Sequence, residues 1–460
     1  MSVYNTNVLI SYMKRLSFLL LLSFNFASVF AQNVPLQALG TKTLYTPEQS
    51  KYTKVPAGYE PVYINYAGRH GARHLTKDVA KSSAFSFLLK ADSTGKLTPS
   101  GKKLLAKLVR LQKVEIKNLE SISVTGAQEL AGIATRMYQQ QPEVFKSANP
   151  ELLVATTKKG RTKESAEAFL AGLEKQDPKL LKNIKFNYAD DDNLRFYDFS
   201  PAYDQFKANG NWKAELSKLE IALQMEKLRD KFAAKFFDAG FISKWTAKNK
   251  ADFADNIFGF YSILDAVPVE IKAAGYTAAE VDLKEFFTST ELQQLNRLSN
   301  AEDFLKKGPG MNHSGIQVKI AAPLLIDFIK STDAYMQSAP YAANLRFAHA
   351  ETIAPFAAFL DIKGARETPA RVQDFDKSWQ AEHVAPFSAN IQWIIYKSAA
   401  HEGYLVKCLL NEKEVAITGV ATQTFPYYSW DVLRKYYLKK LQQLNLNLES
   451  DVHHYLLNVK

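Results

Sequence analysis

Strand and helix patterns alternate at both ends of this 460-residue chain, and a long stretch with helical patterns separates the two ends. Strands are predicted at residues 62–66, 152–156 and 184–186 before the stretch, and at 345–348, 391–396, 404–410 and 415–417 after it. Between about residues 190 and 335, apolar residues recur at helical spacing, as in Leu216, Leu219 and Leu223. This order predicts one α/β domain that a mostly helical insertion splits in sequence.

Helices are predicted between the first strands. Apolar residues recur at helical spacing over residues 79–89 and again over 104–111. A third helix is predicted over residues 125–137, with Thr125 as its N-cap and Gln128 completing a capping box. A further helix should start near Thr162, directly after the second strand.

The patterns divide the chain into four parts. These are a signal peptide (1–31), a first part of the α/β domain (32–189), a helical cap insertion (190–335) and a second part of the α/β domain (336–460). Lys14 and Arg15 precede an apolar run at residues 16–30 and small residues that end at Ala31, as in a secretory signal cleaved after that alanine. The run is too short for a comfortable membrane span, so we expect export to the periplasm or beyond without stable membrane insertion. An uncleaved N-terminal anchor is the alternative.

Charge and cysteine content narrow the classes of partner and of fold. The formal net charge is +11, which suits nucleic acid, an anionic surface or a small anionic substrate. The basic residues are scattered along the sequence, which weakens the nucleic-acid alternative. Cys408 is the single cysteine, so no disulfide can form within the chain and the fold must depend on core packing.

The first cluster of chemical interest is Arg69-His70-Gly71-Ala72-Arg73, which follows the first predicted strand. Guanidinium groups are permanently charged and can bind phosphate through two hydrogen bonds. Glycine lets the backbone bend and a bulky anion come close. An imidazole among arginines resists protonation, because like charge disfavours its cationic form. The cluster therefore predicts an uncharged, nucleophilic His70 in a phosphate site.

Two further clusters also follow predicted strands, where ligands of open α/β sheets collect. Lys158-Lys159-Gly160-Arg161 precedes a helix, whose N-terminus favours anions; alone, such a sequence is more often a solvated basic turn. His349-Ala350-Glu351 offers a hydrogen-bond donor and a carboxylic acid. A carboxylic acid beside a phosphate site can protonate a leaving alkoxide and then activate water.

Other chemistries have weaker support in the sequence. His70 and His74 have the spacing of metal ligands on a helix, but Gly71 disfavours a helix and the flanking arginines would repel a cation. The sequence contains no P-loop, no nucleophile elbow, no paired C-x-x-C and no H-E-x-x-H motif. We therefore expect no metal at this site.

The chain resembles the histidine phosphatase superfamily, in the branch that contains acid phosphatases and phytases. Residues 69–73 match its R-H-G-x-R signature, and His349-Ala350-Glu351 has the H-A-E form of the multiple inositol polyphosphate phosphatases. The other matching stretches are Thr125-Gly126-Ala127-Gln128-Glu129, Arg161-Thr162 with Ser165-Ala166, Leu194-Arg195-Phe196-Tyr197-Asp198, and Asn411-Glu412. The similarity extends from about residue 60 to 435.

The resemblance implies a fold and a set of roles. The fold would be a phosphoglycerate-mutase-like three-layer α/β/α domain with a mostly helical inserted cap. His70 would attack phosphorus and form a phosphohistidine, and Glu351 would donate the proton and later assist hydrolysis. The phosphoryl oxygens would be held by Arg69, Arg73, Arg161 and His349. No metal or other cofactor would be required.

The implied activity is hydrolysis of inositol polyphosphates such as phytate. A tentative basic rim for the remaining phosphates consists of His74, Lys77, Lys158, Lys159 and Arg195. The chain departs from the family where His74-Leu75-Thr76 replaces a residue followed by Pro-Thr, which leaves the pocket edge open. The alternatives are a broad-specificity acid phosphatase acting on sugar phosphates or other monoesters, a non-catalytic anion-binding protein and, less expected for an exported chain, a phosphomutase.

Overall fold

The computed structural model of the chain describes residues 38–47, 51–146, 150–188, 190–338 and 340–460. The predicted signal peptide at residues 1–31 lies outside these ranges and stays a prediction. Across the described ranges, every helix is too short or too polar to span a bilayer.

A single mixed sheet organises the described residues. Its strands are β1 (Tyr59–Arg69), β2 (Glu151–Thr156), β3 (Ile184–Asn187), β4 (Tyr341–Ala348), β5 (Asn390–Ser398), β6 (Tyr404–Leu410), β7 (Lys413–Glu414) and β8 (Tyr427–Ser429). The order is β3-β2-β4-β1-β5-β6-β7, with β8 paired to β6. The first four strands run parallel to one another, and β5 to β8 pair antiparallel. The sheet is therefore parallel on one side and antiparallel on the other.

The parallel half brings three distant segments to one edge. In its register, Arg69 at the end of β1 lies opposite Ala348 at the end of β4, and Thr156 at the end of β2 lies opposite Phe347. The residues that follow these strands must therefore emerge side by side, because the carboxyl ends of parallel strands meet at one edge.

Nineteen α-helices lie within the described residues. The first ten are α1 (Ser83–Ser93), α2 (Pro99–Glu115), α3 (Val124–Gln140), α4 (Gly160–Glu174), α5 (Asp191–Leu194), α6 (Pro201–Asn209), α7 (Trp212–Ala222), α8 (Met225–Ala234), α9 (Ala239–Ile242) and α10 (Ala247–Tyr261). The remaining nine are α11 (Pro268–Ala273), α12 (Ala278–Val281), α13 (Ser289–Lys306), α14 (Ile316–Lys319), α15 (Ala322–Met336), α16 (Ala350–Phe359), α17 (Ala381–Val384), α18 (Trp430–Gln442) and α19 (Val452–Asn458). Short 3-10 helices lie at Gly40–Lys42, Val79–Lys81, Pro142–Phe145, Pro178–Asn183, Phe196–Asp198, Leu264–Ala266, Lys284–Phe286 and Val372–Lys377.

Helices cover both faces of the sheet. On one face, Tyr66 of β1 packs against Phe169 of α4 with ring centroids 5.2 Å apart. On the other face, Trp393 of β5 contacts Phe328 of α15 at 5.2 Å and Tyr437 of α18 at 5.5 Å. Strand residues alternate between these two cores, as the pleat requires. The predicted α/β class with three layers is confirmed.

The described residues between β3 and β4 form helices and the loops that join them, and the strands of the sheet lie outside this stretch. Helix α15, which lies near the end of this stretch, packs on the sheet through Phe328. The residues from Ala38 to Lys460 cluster as one compact unit. The cap boundaries at residues 190 and 335 therefore stay predictions.

Three local predictions are wrong in detail. Residues 79–89 form a 3-10 turn followed by α1, because the Ser82 hydroxyl accepts from the Phe85 amide at 3.1 Å and starts a new helix. Helix α3 is capped by Ser123 rather than Thr125, because the Ser123 hydroxyl accepts from Gly126. The predicted strand at 415–417 is replaced by β7, since Asn411 and Glu412 adopt positive φ and turn the chain immediately after β6.

Candidate active site

His70 follows β1 and is held by the backbone on both sides. Its amide donates to the carbonyl of Ala348 at 3.0 Å, and its carbonyl accepts from the amide of Ser388 at 3.1 Å. The side chain is buried, with only 3% of the residue exposed. The imidazole is thus fixed at the edge where β1 and β4 end.

The contacts of the His70 ring determine its tautomer. Nδ1 lies 2.9 Å from the carbonyl oxygen of Gly71, and a carbonyl can only accept, so Nδ1 carries the proton and Nε2 keeps its lone pair. Burial, followed by the charges of Arg69 and Arg73, holds the pKa of His70 well below its usual value. The ring is therefore neutral at neutral pH, with Nε2 available as a nucleophile, as the sequence predicts.

Two glycines let the signature loop pack against the start of α3. A Cβ on Gly71 would lie 2.6 Å from the Gly126 carbonyl oxygen, and one on Gly126 would lie 2.1 Å from the Ala72 carbonyl oxygen. Any side chain at either position would push the two backbones apart. This close approach explains why a glycine follows His70.

Glu129 in α3 connects three segments of the chain near His70. Its carboxylate accepts from the Ala72 amide at 3.0 Å, the Tyr45 amide at 2.8 Å and the Ser388 hydroxyl at 2.7 Å. In the sequence, Glu129 stands out only as part of a stretch that matches the family, and no role was predicted for it. An acidic residue inside that stretch is the signal that could have identified it.

Arg69 and Arg73 flank His70 from its own loop. Arg69 donates to the carbonyls of Thr41 and Ala385 and stacks over Phe387. Burial, then the charge of Arg73, lowers the pKa of Arg69 to about 9, and burial with Arg161 lowers that of Arg73 to about 10. Both groups remain cations at neutral pH. An anion between them would relieve this repulsion.

Arg161 and His349 complete the predicted group from distant parts of the chain. Arg161 Nη2 lies 3.3 Å from His349 Nδ1, and the rings of His349 and His70 have centroids 5.6 Å apart. The charge of Arg161 also acts on His70, and burial together with Arg161 holds the pKa of His349 well below its usual value, so the His349 ring is neutral. The structure therefore brings together all five residues predicted around the phosphoryl group, which supports their proposed roles.

Arg195, predicted at the rim, lies deeper than expected. It is 8% exposed and pairs with Asp198. Its Nη1 lies 3.2 Å from His349 Nε2. The same nitrogen of His349 also lies 3.1 Å from the Thr157 hydroxyl. A neutral imidazole accepts on one nitrogen only, so it cannot accept from both Arg161 and Arg195. One of these two donors, Arg161 Nη2 or Arg195 Nη1, therefore has no acceptor on His349 and could donate to an anion.

Hydrogen-bond donors without partners also indicate an anionic ligand. The Nε atoms of Arg69, Arg73 and Arg161 are buried and lack a hydrogen-bond partner among the described residues. Buried cationic donors without acceptors are costly. The residues around His70 are therefore suited to hold a group with several negative oxygens.

Glu351, the predicted proton donor, lies in the first turn of α16 and forms an ion pair. Its Oε1 is 2.9 Å from the Nζ of Lys307. Burial alone would raise the pKa of Glu351, but Lys307 and then His349 outweigh it and hold the pKa well below the usual range. In this structure Glu351 is therefore a carboxylate, although a proton donor must be protonated.

A cavity of about 450 Å³ opens beside Arg73. Lys77, predicted at the rim, lines it with Lys81 and with Lys42 from the segment before β1. Burial lowers the pKa of Lys42 to about 8. The acidic Asp78, Asp252 and Asp255 line the same cavity. Arg73 is the residue that this cavity shares with the group around His70.

Lys158 and Lys159, also predicted at the rim, face acidic partners. Lys158 Nζ is 3.4 Å from Asp191, whereas Lys159 Nζ is 3.7 Å from Glu120, which also accepts from Arg161 at 3.1 Å. Lys159 thus neighbours Arg161, a predicted phosphate ligand, while Lys158 is directed toward α5.

His74 is not at a solvent-exposed rim, contrary to our expectation. It is 2% exposed, with Nδ1 3.0 Å from Glu115 and Nε2 3.7 Å from Glu270. Although burial opposes its charge, these carboxylates raise the pKa of His74 to about 9. The prediction failed because both partners are remote in sequence.

No group of three or more potential ligands in the described ranges could hold a metal ion.

Replacement of His74 by glutamine should destabilise the fold in a pH-dependent way. The folded pKa of His74, about 9, lies above its ordinary value of 6.5. Its stabilisation is therefore fully present below pH 6.5 and is lost as the pH rises through 9. We expect the variant to lose about 2 kcal/mol of unfolding free energy at pH 6 and less at pH 10. Urea denaturation at both values measures this, with exposed His383→Gln as control. An equal loss at both pH values would contradict the charged triad.

The sequence profile of the histidine phosphatase superfamily (branch 2) matches residues 68–411. No curated protein sequence matches the chain significantly.

Solved structures share the fold at low sequence identity. The multiple inositol polyphosphate phosphatase of Bifidobacterium longum, in complex with inositol hexasulfate, matches with a TM-score of 0.76 and 23% identity over 88% of this chain and 97% of that chain. The same enzyme in complex with phosphate matches with a TM-score of 0.76 and 21% identity, over 87% and 97%. The phytase from D. castellii matches with a TM-score of 0.59 and 16% identity, over 91% and 89%. These matches confirm the predicted fold.

Proposed function

We propose, because the chain belongs to branch 2 of the histidine phosphatase superfamily, that it hydrolyses the phosphate monoesters of inositol polyphosphates through a phosphohistidine at His70. The observation that carries this proposal is a neutral imidazole with a free Nε2 among buried arginines. A phosphoryl group is the ligand that needs both a nucleophile and several cationic donors.

The proposed reaction has two steps. In the first, His70 Nε2 attacks phosphorus, the bond from phosphorus to the ester oxygen breaks, and the leaving alkoxide takes a proton from Glu351. In the second, water attacks phosphorus in the phosphohistidine and gives a proton to Glu351. The bond from phosphorus to His70 breaks, so that phosphate is released and His70 is restored. Each turnover consumes one ester and one water and yields one alcohol and one phosphate.

The cationic residues would stabilise the charge that develops on the phosphoryl oxygens. The phosphoryl group would be held by Arg69, Arg73, Arg161, Arg195 and His349. Of these side chains, Arg69, Arg195 and His349 are buried and Arg73 and Arg161 are half-buried. The four guanidinium groups are partly fixed by protein contacts. They would therefore need little reorganisation when charge develops, which is where electrostatic catalysis gains most.

The cavity beside Arg73 supports a substrate with more than one phosphate. Its volume is about 450 Å³, and its lining combines Arg73 of the proposed phosphoryl site with Lys42, Lys77 and Lys81, against the carboxylates of Asp78, Asp252 and Asp255. The B. longum enzyme of the same fold was solved with inositol hexasulfate, an analogue of a fully phosphorylated inositol. Phytate is therefore the substrate that we propose first.

Substitution of Lys77 by methionine should weaken phytate turnover selectively. Lys77 is exposed and lines the cavity but is not part of the phosphoryl site. Loss of one such charge should reduce kcat/KM for phytate by about fivefold and leave p-nitrophenyl phosphate nearly unchanged. Phosphate release from both substrates, measured on the full chain at low and high salt, tests this.

Lys435→Met is a matched control, because Lys435 is an exposed lysine on α18.

The wild type should prefer phytate to p-nitrophenyl phosphate in kcat/KM. Equal values would instead favour a broad-specificity acid phosphatase. Absence of turnover with both substrates, together with tight phosphate binding, would favour an anion-binding protein.

Two parts of the domain plan complete the proposal. A signal peptide at residues 1–31 would export the chain, and the helical insertion at 190–335 would act as a cap over the site. The contact between Lys307, in this insertion, and Glu351, in the second part of the α/β domain, supports a cap that contributes to the site.

A further inference from the structure

Lys307 contacts Glu351, the predicted proton donor, and no sequence motif marks this lysine. It follows α13 as its C-cap residue, and its Nζ lies 2.8 Å from Asp303 Oδ1 and 2.9 Å from Glu351 Oε1. Its side chain is 20% exposed. The ammonium group is thus shared by two carboxylates.

The placement of both partners fixes this ion pair. A helix C-terminus favours a cation, and Lys307 lies directly after α13. A helix N-terminus favours an anion, and Glu351 lies in the first turn of α16. Asp303 also accepts from the Thr41 hydroxyl at 2.8 Å, so the pair is anchored to the segment before β1.

Several other ionisable groups also interact with Glu351. Besides Lys307, they are His349, Arg69, Arg73, Tyr197 and Tyr203. The arginines, like Lys307, favour its charged form. A bound phosphoryl group would oppose them, because its negative charge attracts the same cations and repels the carboxylate.

We propose that Lys307 is a positioning residue, which holds the Glu351 carboxylate beside the phosphoryl site and sets how readily it takes up the proton for the leaving alcohol. This inference rests on the proposed phosphatase reaction but not on the identity of the ester. When substrate is absent, Lys307 and Glu351 pair. When an anionic phosphoryl group enters, it competes for Lys307, and Glu351 becomes easier to protonate.

Removal of this cation should shift the pH dependence of the reaction. A proton donor causes kcat/KM to fall as the pH rises through its pKa in the free enzyme. Without Lys307 the charged form of Glu351 is less stable, so that pKa rises. In Lys307→Met we expect the descending limb for β-glycerol phosphate to move upward by about one pH unit or more. Asp303 should stay in place through its contact with Thr41.

Leaving-group chemistry separates this role from general structural damage. p-Nitrophenolate leaves without a proton, whereas an alkoxide needs one. The change in the descending limb should therefore appear with β-glycerol phosphate and be absent with p-nitrophenyl phosphate. Lys306→Met is the matched control, because Lys306 pairs with Glu302 at 2.9 Å with the same i, i+4 spacing as Lys307 and Asp303.

Three outcomes would overturn the inference: an unchanged limb in Lys307→Met, an equal change with both esters, or the same change in Lys306→Met. A higher KM for phytate with an unshifted limb would make Lys307 a phosphate ligand instead. Thermal unfolding of each variant shows whether the fold survives, and Lys307→Arg, which keeps the charge, should retain the wild-type limb. Failure of phytate as a substrate would overturn the proposed function while leaving this test intact with β-glycerol phosphate.

Discussion

Replacement of His70 by alanine is expected to reduce turnover of every phosphate monoester by about 10⁴-fold or more. The remaining cationic residues could still bind phosphate but would offer no atom to attack it. Rapid mixing with labelled substrate, followed by an alkaline quench that preserves phosphohistidine, should trap a phosphoenzyme in the wild type and none in the variant. The lost intermediate, rather than the lost rate alone, identifies the nucleophile.

Chemical rescue provides the control for that experiment. In His70→Gly, free imidazole could occupy the vacated space and attack phosphorus in place of the side chain. We expect imidazole to restore part of the turnover in His70→Gly and to leave exposed His383→Ala unaffected. A phosphoenzyme that persists in His70→Ala would contradict the assignment of the nucleophile.

The core of the site could be predicted because its residues follow directly from strand ends. The signature at residues 69–73 follows β1, and His349 follows β4, which pairs with β1 in parallel. A strand pattern with a motif at its end is local information, and the parallel arrangement then forces the motifs together. The alternation of strands and helices was sufficient for the fold class in the same way.

Residues that act through long-range contacts escaped prediction. Glu129 reaches Ala72 across 57 positions, and His74 reaches Glu115 across 41. No sequence motif marks Lys307. Its contact with Glu351 depends on where the insertion places the end of α13. Arg195 was expected at the rim because it lies where the cap should meet the sheet domain, but its place in the sequence does not reveal how deeply its side chain is buried. Such pairings are set by tertiary packing, which residue patterns do not encode locally.

Replacement of Glu351 by glutamine is expected to slow the hydrolysis of alkyl phosphates by about 10²–10⁴-fold. Glutamine keeps the size of the side chain but cannot donate a proton to the alkoxide. Formation of the phosphoenzyme from p-nitrophenyl phosphate should change little, because its leaving group needs no proton. The second step should still be slow, since water would lack its base. A burst of p-nitrophenolate followed by slow steady turnover is the expected signature in a stopped-flow trace.

The same substitution decides whether Lys307 acts through Glu351 or on the phosphate itself. If Lys307 acts only by holding and tuning the carboxylate, then Lys307→Met should add little to the loss already caused by Glu351→Gln, because the interaction is gone in either variant. Independent roles would instead multiply the two losses. Glu302→Gln is the matched control, as Glu302 pairs with Lys306. Equal losses in the rate of phosphoenzyme formation from β-glycerol phosphate and p-nitrophenyl phosphate in Glu351→Gln would rule out a proton-donor role for Glu351.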